Sequence, residues 1–368
     1  MYSYAVLDPR PTDAARMANA RAFATGPVYG LEVTVPALAD RCAANLDPQH
    51  LGGDAATTAI QAAIDWPLPP HGATLATVRP DADSIGAMAI LALRAEQLHV
   101  GYEGETLIDT VFHVGTTPVQ GGPGMWERIG LIAEADREAS GPWPGPRPIG
   151  DAASLLRSTT AVERMCADHK LTMDERVQRM REWLLTGRFE GMDAYHQRAL
   201  DEAEQALAAL QVQVRGQVAI VTGTHRLAMS IGYRHAPVVV ATDPAFRWQG
   251  GEPHVKHTVA RWNTGTLPDM DWQGMTAALN EADPAARLTP AQADAYHREL
   301  TRWVADVVKH TEALAQMDAP SAGPEDMPIP PAPPIPRWGG STSIVGSPQG
   351  VGSDLTTEQV AEIVTAHI

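Results

Sequence analysis

Thr74-Leu75-Ala76-Thr77-Val78-Arg79-Pro80-Asp81-Ala82-Asp83-Ser84-Ile85-Gly86-Ala87-Met88-Ala89-Ile90-Leu91 is the stretch that decides the fold. A short apolar run follows the turn residues Pro70-His71-Gly72 and stops at two aspartates one residue apart. Gly86, Ala87, Ala89 and Ala92 then give the small side chains of a helix that lies close against a sheet. The reading is strand, loop, helix. It puts Asp81 and Asp83 at the carboxyl end of a sheet strand, the edge where open α/β sheets carry their ligands.

Two carboxylates this close repel each other and raise each other's pKa unless a cation or several N–H donors neutralise them. Oxygen ligands select Mg²⁺, Mn²⁺ or Ca²⁺, and such an ion both activates water and clamps phosphate oxygens. The alternative is an Asx turn with Asp83 as helix N-cap and no metal. Spacing alone leaves both open.

The segment Val78-Arg79-Pro80-Asp81-Ala82-Asp83-Ser84-Ile85-Gly86-Ala87 resembles the first motif of the DHH (Asp-His-His) phosphoesterase superfamily. In that motif a His stands four residues before an Asp-x-Asp pair that opens a small-residue helix. Thr77 stands at the position of the His, which in the family is a metal ligand, so this chain departs from the pattern there. The resemblance places a second metal-binding Asp at Asp109, closing a strand-like run over residues 105–113, with His113 as a candidate imidazole. Asp136, at the end of the helical pattern from 126, is a candidate last acidic ligand or a surface charge. In 45–50, Asp47 and His50 read as turn residues or, alternatively, as the source of the ligand that Thr77 cannot be. Asp168-His169-Lys170 is a weak match to the signature tripeptide.

At 368 residues the chain has room for two cores, and 44% hydrophobic content suits a globular protein. Its mean hydropathy is −0.18. A net charge of −16 disfavours long nucleic acid as a partner while allowing a local basic groove. Two cysteines, Cys42 and Cys166, suit a reducing cytosol, and with no spanning apolar run or signal peptide the expectation is a cytoplasmic protein without a membrane segment.

Toward the N-terminus, residues 13–23 read as a helix, 31–35 as a strand, and 36–44 and 54–64 as helices. Gly121, Gly122 and Gly124 make a loop. Residues 152–165, 173–185 and 193–210 are helical and form a connector with no chemistry of its own.

Strands follow at 217–222, 237–242 and 257–263, with helices at 226–233 and 271–279. Arg337-Trp338-Gly339-Gly340-Ser341-Thr342-Ser343 then leads to a final helix boxed by Thr356 and Gln359. This series is similar to the DHH-associated domain, in which a strand bearing an Arg precedes a Gly-Gly-His loop. Arg261 matches the Arg, Gly339-Gly340 the glycines, and Ser341 stands where the His is usual. Glycines let a backbone approach a phosphate and offer N–H groups, Arg226, Lys256 and Arg261 are candidate anion ligands with them, and Arg79 of the first motif is a further substrate-binding candidate. The competing reading makes the glycines a plain turn. His225, His254 and His257 read as structural.

Residues 290–317 form an amphipathic helix whose Tyr296-Leu300-Trp303-Val304-Val307-Val308 face is core or a homodimer contact, and 320–336 is a proline-rich linker. The expectation is an α/β protein of two domains with a cleft between them. Residues 1–210 would hold a doubly wound, mainly parallel sheet, and 211–368 a smaller mixed α/β domain with an insertion at 288–336. Its function would be metal-dependent phosphoester hydrolysis of a small nucleotide-like ligand with Mn²⁺ or Mg²⁺ on Asp81, Asp83, Asp109, Asp136 and His50, and with Asp81, Asp83 and His113 catalytic. The alternative is a binding protein that keeps the fold without hydrolysis.

Overall fold

The computed structural model describes residues 2–9, 13–49, 57–99, 124–137, 143–247, 251–262, 270–315, 336–340, 343–348 and 351–368. It is an α/β protein of two compact units, one drawn from Met1–Glu138 and Arg157–Ala199, the other from Ala139–Leu156 and the described chain from Leu200 on. Among the described residues no helix is long and apolar enough to cross a membrane.

The first unit is built on a parallel sheet of β1 (Ser3–Val6), β2 (Val28–Leu31), β3 (Ala44–Leu46) and β4 (Thr74–Thr77), in the order β1-β4-β2-β3. β4 lies inside the sheet and all four of its residues are buried. A strand covered on both faces reads as an unbroken apolar run, which is why this one was visible in the sequence. The helix α4 (Ala82–His99) starts at the aspartates and buries Ile85, Met88 and Leu91. The short helix α3 (Ala59–Ala62) lies so near it that a Cβ on Gly86 would run into the Ile60 side chain. Helices α1 (Asp13–Ala24), α2 (Pro36–Ala39), α5 (Met125–Arg137), α6 (Thr160–Cys166), α7 (Met173–Thr186) and α8 (Met192–Ala209) complete the helical set described up to Leu210. α7 opens with a capping box between Thr172 and Glu175 and ends on Gly187 in the left-handed region (φ 78°).

Several expected boundaries move. The strand read at 31–35 is β2, Val28–Leu31, and Glu32 ends it with φ 54°. The helix read at 36–44 stops at Ala39, and Ala44–Leu46 is a strand. Of the helix read at 152–165 only Thr160–Cys166 is α-helical, after a 3₁₀ turn at Ala153–Leu155. Asp168-His169-Lys170 forms the turn between α6 and α7, where Asp168 accepts the Tyr195 hydroxyl at 2.7 Å and the Lys170 N–H at 3.0 Å. That is a structural use of the aspartate.

The second unit holds a mixed sheet in the order β5-β6-β7-β8-β10-β9. Its strands are β5 (Gln211–Arg215), β6 (Val218–Thr222), β7 (Val238–Arg247), β8 (Pro253–Arg261), β9 (Gly339–Gly340) and β10 (Ile344–Gly346), and the short helix α9 (Ala228–Gly232) links β6 to β7. Val218, Val240, Val259 and Val345 pack with Met275 and Leu279 of α10 (Trp272–Ala282) and with Val360 and Val364 of α12 (Thr357–Thr365). α12 carries the expected capping box of Thr356 and Gln359. The helix α11 (Pro290–Ala315) shows Tyr296, Leu300 and Trp303 half-buried, with Val304 exposed. The linker at 320–335 lies outside the described residues.

Candidate active site

Parallel pairing brings the carboxyl ends of β2, β3 and β4 to one edge of the first sheet. Glu32 follows β2, Asp47 follows β3, and Asp81 and Asp83 follow β4. Asp81 is half-buried, and its Oδ1 accepts the N–H and the hydroxyl of Ser84, both at 2.9 Å. Asp83 is only 1% exposed. Its Oδ2 accepts the Ala59 N–H at 2.7 Å and its Oδ1 the Ile60 N–H at 3.0 Å. Both aspartates thus bind helix starts, Asp81 that of its own helix α4 and Asp83 that of α3, whereas the sequence suggested Asp83 as the cap of its own helix.

Thr77, at the position of the absent imidazole, is buried and turned into its own loop. Its hydroxyl meets the Arg79 carbonyl at 3.2 Å and the Arg79 N–H at 3.3 Å. The Arg79 side chain is exposed at this same edge. Asp136, in the last turn of α5, is exposed and accepts from Gln49 Nε2 at 3.0 Å. Asp47 is buried.

Glu32 is the acidic residue that the sequence reading missed. It is 8% exposed, and its Oε2 has no hydrogen-bond partner among the described residues. Burial, reinforced by the charges of Asp83, Asp81, Asp136 and Asp47, pushes its carboxyl up to about 10. Burial likewise lifts Asp83 to about 7, against the pull of its two N–H donors. The signal was available, a carboxylate directly after the apolar run that ends at Leu31, but the Leu31–Val35 alternation hid the strand end.

His50, Asp109, His113, Ser341, Gly121 and Gly122 lie outside the described residues. Among the described residues, no three His, Cys, Asp or Glu side chains form a group that could hold a metal.

In the second unit the strand register separates the expected anion ligands into two sets. Ala260 pairs with Ile344 and Val345 with Gly340, and the Arg261 N–H donates to the Ser343 carbonyl at 3.0 Å. Arg261 therefore adjoins Ser343, and β10 lies between its strand and Gly340. Lys256 lies five residues back along β8, roughly 17 Å away in an extended strand. It stacks its ammonium 4.0 Å from the Phe246 ring centre. Arg226 follows β6 at that same far edge and is ion-paired with Glu202. Arg261 and Gly340 thus share one end of the sheet, with Lys256 and Arg226 apart from them.

Gly340 also has a steric reason to be glycine, since a Cβ there would strike the Ile344 carbonyl, whereas Gly339 faces open space. Buried polar groups hold Trp338, the residue before β9. Asp283 accepts from Trp338 Nε1 at 2.8 Å and Ser353 Oγ at 2.6 Å. His257 is buried, pairs with Thr242 Oγ1 at 2.8 Å and the Leu355 carbonyl at 3.0 Å, and stacks on Trp338. Its role is structural, as its burial at mid-strand requires.

A solved structure is similar across most of the chain. It is described as "pGpG-specific phosphodiesterase - PggH from Vibrio cholrae", and the match has a TM-score of 0.33 and 8% identity, covering 93% of this chain and 100% of that chain. No family model and no curated protein matches the sequence. The functional reading therefore rests on the residues themselves.

Proposed function

We propose that the chain is a metal-dependent phosphoesterase acting on a phosphodiester or phosphoanhydride of a small nucleotide-like substrate. The observation that carries this reading is the acidic edge of the parallel sheet. There Asp81 and Asp83 stand with Glu32, Asp47 and Asp136, and a buried Glu32 oxygen has no hydrogen-bond partner among the described residues. An all-oxygen, multiply acidic set of this kind suits a hard divalent cation such as Mg²⁺ or Mn²⁺. Each Asp83 oxygen accepts one backbone N–H and keeps a second lone pair, and both Ser84 bonds to Asp81 fall on Oδ1, so these bonds orient the two aspartates without exhausting them.

In this reading Asp81, Asp83 and Asp136 are ligands, with Asp109 and His50 assigned to the same set and His113 to catalysis from the sequence. When bound, the cation supplies Lewis acidity toward phosphate oxygens and water. Arg79, exposed in the motif loop, contributes a guanidinium to the phosphate at this edge. In the second unit Arg261 and Gly340 make a separate candidate anion-binding pair, with Arg226 and Lys256 apart from it at the other end of that sheet.

A second reading, a nucleotide-binding protein without hydrolysis, is favoured by one observation. The hydroxyl at Thr77 is spent on its own loop, where the resembled motif has an imidazole. Assaying the protein with Mn²⁺ against cyclic dinucleotides, short oligonucleotides and polyphosphate, beside Asp81→Ala, separates the two. Hydrolysis lost in the variant supports the phosphoesterase. No hydrolysis by either protein, with a nucleotide still bound, supports the second reading.

A further inference from the structure

Glu32 carries a combination of features that folding alone would not retain. It is a non-glycine residue in the left-handed region, with φ 54°. Such a conformation costs on the order of 1 kcal/mol or more. Its side chain is 8% exposed and leaves Oε2 without a hydrogen-bond partner among the described residues, a further cost for a polar atom. The charges acting on it are those of four other carboxylates, Asp83, Asp81, Asp136 and Asp47.

The pairing of β2 with β4 sets Gly30 beside Ala76, so that Glu32 comes level with Val78, one residue beyond Thr77. Neighbouring strands lie roughly 5 Å apart. On its other side, the Glu32 N–H donates to the Leu46 carbonyl at 2.9 Å, fixing the backbone against β3. The Glu32 backbone is thus fixed against the end of β3, and its buried side chain lies among the acidic residues that follow β2, β3 and β4.

We propose that Glu32 is a direct oxygen ligand of a divalent cation of the Mg²⁺ or Mn²⁺ type, taking on from the adjacent strand the part that Thr77 cannot play. This inference rests on the phosphoesterase reading of the same edge. It does not require three converging side chains, because these ions are commonly held by one or two carboxylates with water and substrate oxygens filling the remaining positions. The competing explanation is a buried, protonated carboxyl with no ligand.

The test uses the full chain and Mn²⁺ alone, with binding followed by calorimetry and by the electron paramagnetic resonance of free Mn²⁺. Wild type is compared with Glu32→Gln, which keeps the shape, and Glu32→Asp, which keeps the charge but withdraws the oxygens by one methylene. Circular dichroism melts confirm that each variant is folded. A direct ligand predicts that both variants bind Mn²⁺ more weakly, by at least the roughly tenfold carried even by outer partners of metal ligands. Wild-type affinity in Glu32→Asp alone would show that only the local charge matters and would overturn the inference, as would wild-type affinity in both. In either case the phosphoesterase reading stands. No Mn²⁺ binding by the wild type would remove that reading and this inference together.

Discussion

The carboxylate of Asp83 accepts the backbone N–H of Ala59 at 2.7 Å, and so ties the start of α4 to the start of a helix 24 residues earlier in the chain. α3 spans only Ala59–Ala62, far below the length at which a helix persists unaided. Asp83 is thus both an anchor for α3 and a member of the acidic edge.

The two aspartates of the motif should therefore differ in their structural cost. Asp83→Ala removes two charge-assisted hydrogen bonds at a buried site and should cost about 3 kcal/mol. Asp81→Ala removes a half-exposed cap and should cost about 1 kcal/mol. Urea denaturation of both variants checks this, and equal losses would contradict it.

The acidic edge also sets a direction for pH dependence. Glu32 and Asp83 have folded pKa values above the ordinary carboxylate range, at about 10 and about 7. Their contribution is fully present below about pH 4 and is lost as pH rises, through about 7 for Asp83 and onward for Glu32. His257, whose pKa is lowered by burial, acts in the opposite sense, its contribution being present above about 6.5 and lost on acidification. Melting curves between about pH 5 and 8 should show Glu32→Gln losing less stability with rising pH than the wild type. Identical slopes would count against the carboxyl assignments.

In the second unit Asp283 anchors the residue before β9, accepting from Trp338, Ser353, Ala285 and Asp354. Asp283→Asn turns an amide donor toward donors and should cost about 3 kcal/mol. Faster amide exchange of Trp338 and its neighbours, measured by mass spectrometry, is the local readout. Unchanged exchange there would show that the network does not hold Trp338.

The two glycines should respond differently to a methyl group. Gly340→Ala meets the Ile344 carbonyl and should cost about 1–3 kcal/mol. Gly339→Ala, with open space around it, should stay within about 0.5 kcal/mol. Denaturant titration of the two variants decides this.

What the sequence revealed follows from burial. Thr74–Thr77 and Val238–Val240 lie inside their sheets, so each reads as an unbroken apolar run. β1 and β5 were missed because they are edge strands with exposed residues, Ser3 and Val6 in one and Gln211, Gln213 and Arg215 in the other, and so lack that signature. β3 is three residues long, too short for any period to register. The Asp-x-Asp pair was legible as a site, but the neighbour that completes its edge was not. Glu32 is far off in sequence and comes level with Val78 only through parallel pairing of β2 with β4, which no local pattern encodes.

The central claim, that this edge holds a cation, is tested most directly by crystals grown or soaked with Mn²⁺ and examined at the manganese absorption edge. The expected result is an anomalous peak bonded to oxygens of Asp81 or Asp83 and of Glu32, at the carboxyl ends of β2 and β4. A map with no peak there, and Asp81 and Asp83 still held by Ser84, Ala59 and Ile60, would contradict it.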